Sequence, residues 1–209
     1  MLIQGQVGPS SQQSVQPGAT PAVRLGQQGD LIASEYHGRY YETTYRKQMF
    51  TGVSTSATTT TVGTATTFTG LVLYNPLNST VNLVLNKVGM AFIVAFPAAA
   101  TVGLMTGQSF TPISTFSTTN TSTRSQFVGA PQGYGVVYAS ATLQGVPQIA
   151  TVLQSGYTGA ITTVPETTNF WDMEGSIILP PGAYVASYTS TVSGTNAFWG
   201  SFQWEEIPV

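Results

Sequence analysis

Few side chains in this 209-residue chain could do chemistry, and their spacing limits what that chemistry would be. The single histidine, His37, lies beside Gly38 in the charged, tyrosine-rich stretch SEYHGRYYETTYRK. A serine triad needs a histidine base oriented by a carboxylate, and His37 reads instead as a surface or interface side chain. Cysteine is absent, which removes thiolate nucleophiles, disulfides and Cys-based metal sites. Glu166, Asp172 and Glu174 surround Trp171 in PETTNFWDMEG, and Glu205 adjoins Glu206 near the end. Two carboxylates beside a tryptophan platform are what a glycosidase uses. This spacing is not diagnostic, and adjacent glutamates on a strand point to opposite faces. Gly133-Tyr134-Gly135 opens like a dinucleotide fingerprint, but Tyr138 stands where its last glycine belongs and no helix follows. A transition-metal site would have to rest on sparse carboxylates. No catalytic, cofactor-binding or metal-binding residue is assigned, and a non-enzymatic role is expected.

The elements that would position any site must form with very little charge. Charged residues make up 7% of the chain, against about 25% in an ordinary soluble domain. Hydrophobic residues make up 42%, enough for a substantial core, so the surface has to be covered by Thr, Ser, Asn, Gln and Gly. Arg24, Asp30, Glu35, Arg39, Glu42, Arg46 and Lys47 are concentrated in one short stretch, whereas from Gln48 to Pro165 only Lys87 and Arg124 are charged. A surface of that kind suits burial against neighbouring subunits. Net charge is −2, with no basic cluster beyond Arg46-Lys47. Nucleic-acid binding, which needs a positive stripe to neutralise phosphates, is not expected.

Membrane insertion is not expected either. Val88 to Met105 is an uncharged run of 18 residues, at the low end of the roughly 17–25 that a spanning helix requires. Pro97 and two glycines interrupt it, and Asn82, Asn86 and Lys87 alternate with apolar residues just upstream, at strand period. A buried strand followed by an apolar loop is the better reading. The N-terminal MLIQGQVGPSSQQ lacks the positive start and apolar run of a secretory signal.

Residues 1–30 read as an extended arm, with Pro9, Pro17, Pro21, five glycines, seven glutamines and no sustained periodicity. Residues 31–50 form a linker or a short helix: Asp30 could cap a helix bearing Ile32, Tyr36 and Tyr40, but Gly38 interrupts it. Residues 51–209 read as a β-sandwich. After ten threonines between Thr51 and Thr69, alternation resumes at Leu71 and Leu73 and again at Val81, Leu83 and Leu85. The Asn75-Pro76-Leu77-Asn78 turn between these two runs has a hairpin signature. Further strands are expected over 90–96, 100–106, 134–143, 148–154, 160–164, 175–180, 183–190 and 196–206. Pro181-Gly182 reverses the chain between two of these, and the last two should pair as a hairpin closing a sheet. Many short strands without βαβ spacing imply a sandwich or barrel. A weak echo relates TTVGTATTF (60–68) to TTVPETTNF (162–170), although chance matching in threonine-rich sequence explains it equally well.

RYYETTYRKQMFTGV, TGLVLYNPLNSTVNLVLNKVG and the terminal PPGAYVASYTST…SFQWEEIPV resemble small virion structural proteins of tailed bacteriophages. The resemblance implies an all-β, jelly-roll-like β-sandwich with an extended N-terminal arm that works by assembly. It implies a capsid cement or decoration subunit on the head exterior, a homotrimer bound to the major capsid protein, with no cofactor. On that reading Arg39, Tyr40, Tyr41, Arg46 and Lys47 are the expected capsid or subunit contacts. The alternative is a tail or fibre module that binds host surface glycan by stacking on Trp171 and Trp199.

Overall fold

A computed structural model of the chain describes residues 5–6, 23–24, 38–111, 116–117, 119–156 and 169–209. The chain divides into two units, Met1–Arg39 and Tyr40–Val209. In the first, β1 (Gly5–Gln6) pairs in parallel with β2 (Val23–Arg24). The second opens on one helical turn, α1 (Tyr41–Tyr45), and its other described residues are strand and loop. Its strands are β3 (Met49–Ser54), β4 (Thr67–Tyr74), β5 (Val81–Phe92), β6 (Ala100–Gln108), β7 (Phe116–Ser117) and β8 (Thr121–Ser125). They continue with β9 (Val136–Thr142), β10 (Gln148–Gly156), β11 (Asn169–Leu179), β12 (Ala183–Thr189) and β13 (Phe198–Pro208).

These strands form two antiparallel sheets, ordered β10-β6-β12-β4-β9-β7 and β11-β5-β13-β3-β8. The all-β sandwich expected from the sequence is what the chain forms. Among the described strands from β3 onward, none pairs with its neighbour in sequence. Instead the pairs β6·β10, β5·β11, β4·β12 and β3·β13 nest one inside the next along the chain.

That nesting corrects the hairpin expectations. Asn75–Asn78 joins β4 to β5, and Pro180–Gly182 joins β11 to β12, but each connects one sheet to the other. β12 and β13 likewise lie in different sheets and do not close a hairpin. Gly182 does supply the reversal, at φ 86°. Alternation reveals which face a side chain occupies but says nothing about the partner strand, so a cross-sheet corner and a hairpin turn read alike. The Val88–Met105 run is divided between the two sheets, because β5 ends at Phe92 and residues 93–99 form a loop before β6. Of the strand expected over 90–96, residues 90–92 are the end of β5 and 93–96 are loop, and no helix among the described residues is long and apolar enough to cross a membrane. The strand expected at 160–164 lies outside the described residues.

The main core is shared by both sheets. Leu71, Leu73, Leu104 and Val185 of one meet Leu85, Val88, Phe198, Phe202 and Trp204 of the other. A second cluster, Phe68, Val72, Tyr74, Met105, Tyr138, Tyr184 and Ala186, occupies the opposite face of the six-stranded sheet. Burial on both faces explains why LVLY (71–74) and AYVA (183–186) are continuously apolar and do not alternate.

Corners between sheets have no ladder to satisfy their backbone groups, and buried polar side chains do this instead. At one end the fully buried Asn75 donates from its amide to the carbonyls of Val81 (2.8 Å) and Leu179 (2.9 Å). Its own backbone exchanges hydrogen bonds with Ala183 and Gly182. The corners of β4–β5 and β11–β12 are thereby locked to each other. At the other end the Thr60 amide donates to Ser193 Oγ (2.9 Å), and the Ser193 amide donates to Thr60 Oγ1 (3.0 Å). Thr60 Oγ1 also lies 2.9 Å from Thr189 Oγ1. The threonine-rich segment is thus a loop whose hydroxyls do the work of a ladder.

Two predictions follow from these contacts. Asn75→Asp should destabilise more than Asn75→Ala, because a carboxylate cannot donate to two carbonyls and would face them with charge. Urea melts should place Ala lower than the parent by about 1–3 kcal/mol, with Asp lower still; the reverse order would discount the amide's role. The second concerns the tyrosine cluster. Burial pushes the phenols of Tyr74, Tyr138 and Tyr184 above their ordinary 10.0, and for Tyr138 the neighbouring Tyr74 adds to the rise. The folded state then holds its protons to higher pH than the unfolded chain, so stability should fall as pH rises past about 10. The Tyr184 hydroxyl is buried without a partner, so Tyr184→Phe should stabilise by up to about 1 kcal/mol and soften the alkaline decline. Thermal melts from neutral to alkaline pH measure both effects.

Candidate docking surface

α1 is a single turn because its sequence supports no more. The Thr44 amide donates to the Tyr40 carbonyl (3.0 Å), and Thr43 Oγ1 reaches the same oxygen (3.1 Å). Lys47 then ends the turn in the left-handed region, at φ 61°, with its amide on the Thr44 carbonyl. Glycine or asparagine is usual there, and a lysine costs roughly 1–2 kcal/mol. The reversal feeds the chain into β3 and leaves Arg46 and Lys47 exposed. Tyr41 and Tyr45, one turn apart, stack with ring centroids 5.9 Å apart and both face solvent. Tyr40 points elsewhere: the Lys87 ammonium lies 5.0 Å from its ring centroid and 5.2 Å from that of Phe170.

The other wall of this surface is the loop after β8. Its Phe127 ring lies under the Lys47 ammonium at 5.6 Å, and Val128 is almost wholly exposed. The loop is held by Glu206, a buried carboxylate on β13. Glu206 Oε1 accepts from the Gly135 amide (2.9 Å) and from the Trp204 indole (3.2 Å), while Oε2 accepts from the Tyr134 amide (3.0 Å). The two glycines that resemble a nucleotide fingerprint have a different use here. A β-carbon on Gly133 would stand 2.3 Å from a Glu206 oxygen, and one on Gly135 would stand 2.7 Å from the Trp204 nitrogen. Only a bare backbone can approach the carboxylate this closely.

Between the two walls is a groove of about 470 Å³, lined by Lys47, Phe50, Pro131, Gln132, Tyr134 and Glu206. It has a cation at its rim, an aromatic and prolyl wall, and a carboxylate whose acceptors are engaged by its own chain. Such a groove can hold an apolar segment that carries a negative group. It presents no nucleophile–base pair.

The expected contact residues are distributed unevenly. Tyr41, Arg46 and Lys47 are exposed, Tyr40 is half-buried, and Arg39 is the exposed last residue of the first unit. Phe127, Val128, Tyr134 and Glu206 complete the surface and carry no sequence signal beyond the glycine-rich loop itself. The glycan reading does not fit its two tryptophans. Trp171 is in register with Val88 and Phe202 and packs against the core, whereas Trp199 is in register with Ala91 on the outer face. They lie on opposite faces of the five-stranded sheet and make no common platform. His37 and Glu166 lie outside the described residues. Among the described residues no three His, Cys, Asp or Glu side chains converge to hold a metal ion. Comparison with protein-family models, with curated proteins and with solved structures finds no match.

Glu206→Ala should cost on the order of 3 kcal/mol, because it strands three N–H donors in a buried site. Glu206→Gln, which keeps one acceptor oxygen, should fall between Ala and the parent. Chemical denaturation measures the order, and an Ala variant as stable as the parent would mean the loop is held by something else. Gly135→Ala should destabilise comparably through the Trp204 contact.

Proposed function

We propose that this chain is a non-enzymatic virion structural protein, a cement or decoration subunit that binds and stabilises a phage head. The observation that carries the reading is the strand nesting. Four antiparallel pairs lying one inside the next amount to one long hairpin rolled up with its arms in two sheets, β3-β13-β5-β11 and β4-β12-β6-β10. On our reading this nesting is the double Greek key of a jelly roll, an architecture shared by viral capsid and lectin domains. β8 and β9, inserted between the halves, extend the two sheets beside β3 and β4.

The surface supports assembly over catalysis. Tyr45, Phe110, Val128, Val146, Val152 and Ile178 are all more than half exposed on a chain with little charge to keep copies apart. Such a subunit gains most by burying those faces against itself and a capsid lattice. Bridging adjacent capsomers then adds contacts that exist only in the assembled shell and stabilises it by linkage. A homotrimer over a symmetry axis, bound to the major capsid protein on the head exterior, is the form this takes. Lectin domains share the jelly roll, but the separated tryptophans weigh against glycan binding.

Residues 1–30 act on this reading as an attachment arm. Ordering a segment costs about 1–2 kcal/mol per residue in backbone entropy, so extensive contacts in the assembly would have to hold it. A truncation starting near Asp30 should melt like the parent yet bind emptied capsids more weakly. Reconstruction of the virion tests the function itself: regular copies on the head support it, and density confined to the tail, or none, removes it.

A further inference from the structure

We propose that the groove between Lys47 and Tyr134 is a socket for a second copy of this chain, and that Phe170 and Asp172 on β11 of that copy are the knob that fills it. The inference goes beyond the function proposed above and does not depend on where in a virion the protein sits.

The socket is incomplete as it stands. Its carboxylate, Glu206, is engaged by three N–H groups of its own chain. Its cation is not: the Lys47 ammonium has the Phe127 face at 5.6 Å and no ion pair among the described residues. Lys47 is also held in the left-handed region at φ 61°, so its side chain is placed by a backbone that a lysine does not favour. A carboxylate carried beside an aromatic ring would complete this set.

The chain presents that combination elsewhere on the same sheet. Phe170 is 57% exposed, and the Asp172 side chain is 49% exposed. They are two residues apart on β11 and so share one strand face. Asp172 Oδ1 reaches Lys87 at 3.6 Å, which leaves its second oxygen to accept from another cation. Just beyond them Glu174 and Gly175 adopt left-handed conformations and break the register with β5 between Asp172 and Ile177. An edge broken in this way is poorly suited to adding a strand from another molecule, and contact through side chains is what it offers.

Knob and socket belong to opposite faces of the five-stranded sheet. Phe170 and Asp172 alternate with Trp171 and Met173, which pack against the core, and so point outward. Phe50 and Glu206 are buried on the core side beside Trp204, so one copy cannot fill its own groove. Two copies can meet head to tail, and a contact between two different patches closes into a ring when its rotation allows. An aromatic anchor beside a shielded ion pair is also where binding energy concentrates.

Sedimentation of the full-length chain across micromolar concentrations tests this, with circular dichroism melts as the folding control. The parent should form a closed oligomer. Lys47→Glu, Phe170→Ser and Asp172→Lys should each weaken association by about tenfold or more. Combining Lys47→Glu with Asp172→Lys should recover much of what Asp172→Lys alone loses, since the pair is restored with its charges exchanged. If Lys47→Glu does not fold, Lys47→Gln takes its place in the single-variant comparison. A parent that stays monomeric, single variants that associate like the parent, or a double variant no better than Asp172→Lys would each overturn the proposal. None of these outcomes bears on whether the protein is found on the head.

Discussion

Almost every connection in this sandwich crosses from one sheet to the other, and the backbone groups at those crossings have no ladder to join. The rest of the structure depends on how they are satisfied. Charged side chains could do it in principle, but the chain has few of them, and burying one is expensive unless it is fully paired. Hydrogen-bonded amides and hydroxyls bury more cheaply than charge, although the Asn75 Oδ1 is left without a partner. Asn75 secures one end of the sandwich and the reciprocal Thr60–Ser193 pair the other. The threonine-rich stretch before β4 is in part the means by which the sandwich closes that second end.

The same topology sets how the chain must fold. Among the described strands from β3 onward none pairs with its neighbour in sequence, so none of them can form a local hairpin that templates the rest. The innermost nested pair, β6·β10, already spans the inserted β7–β9 segment, and each later pair closes a longer loop. Non-local pairing of this kind folds slowly, since loop-closure entropy is lost before contacts return it. Strong cores on both sides of the six-stranded sheet would hold the partly formed states together, as its doubly apolar strands suggest.

Much of the fold was legible in the sequence, and the limits have a physical origin. Strand alternation puts Phe198, Phe202 and Trp204 on one face of β13 and Trp199, Ser201 and Gln203 on the other, and the structure turns the first set into the core. The same period separates Tyr184 and Ala186 from Val185, which belong to different clusters. Side-chain period encodes faces. It does not encode partners, so the corners at Asn75 and Gly182 read as hairpins. β8 went unseen because TSTRS has no apolar face to announce it: its side chains are half-buried at a sheet edge. The docking surface was half legible. Arg46 and Lys47 stand out as cations in a neutral chain, whereas Phe127 reaches Lys47 because the Gln126 amide bonds to Met49, and Tyr134 lines the groove because Glu206 holds its amide from 72 residues away.

That loop shows what the closely spaced glycines are for. In a nucleotide site, closely spaced glycines let backbone amides approach a phosphate. Here Gly133 and Gly135 let backbone amides approach a carboxylate supplied by the chain's own last strand. The physical demand is the same, an anion cradled by N–H groups with no β-carbon in the way, but the anion is internal. The loop therefore cannot take up a ligand anion without losing Glu206, and its rigidity becomes available for another purpose. It fixes Tyr134 and the wall of the groove against Lys47, so that a surface made of loops can present a defined shape. Exposed apolar side chains on mobile loops would pay an ordering cost on every docking event. Holding them in place with one buried carboxylate removes that cost before any partner arrives.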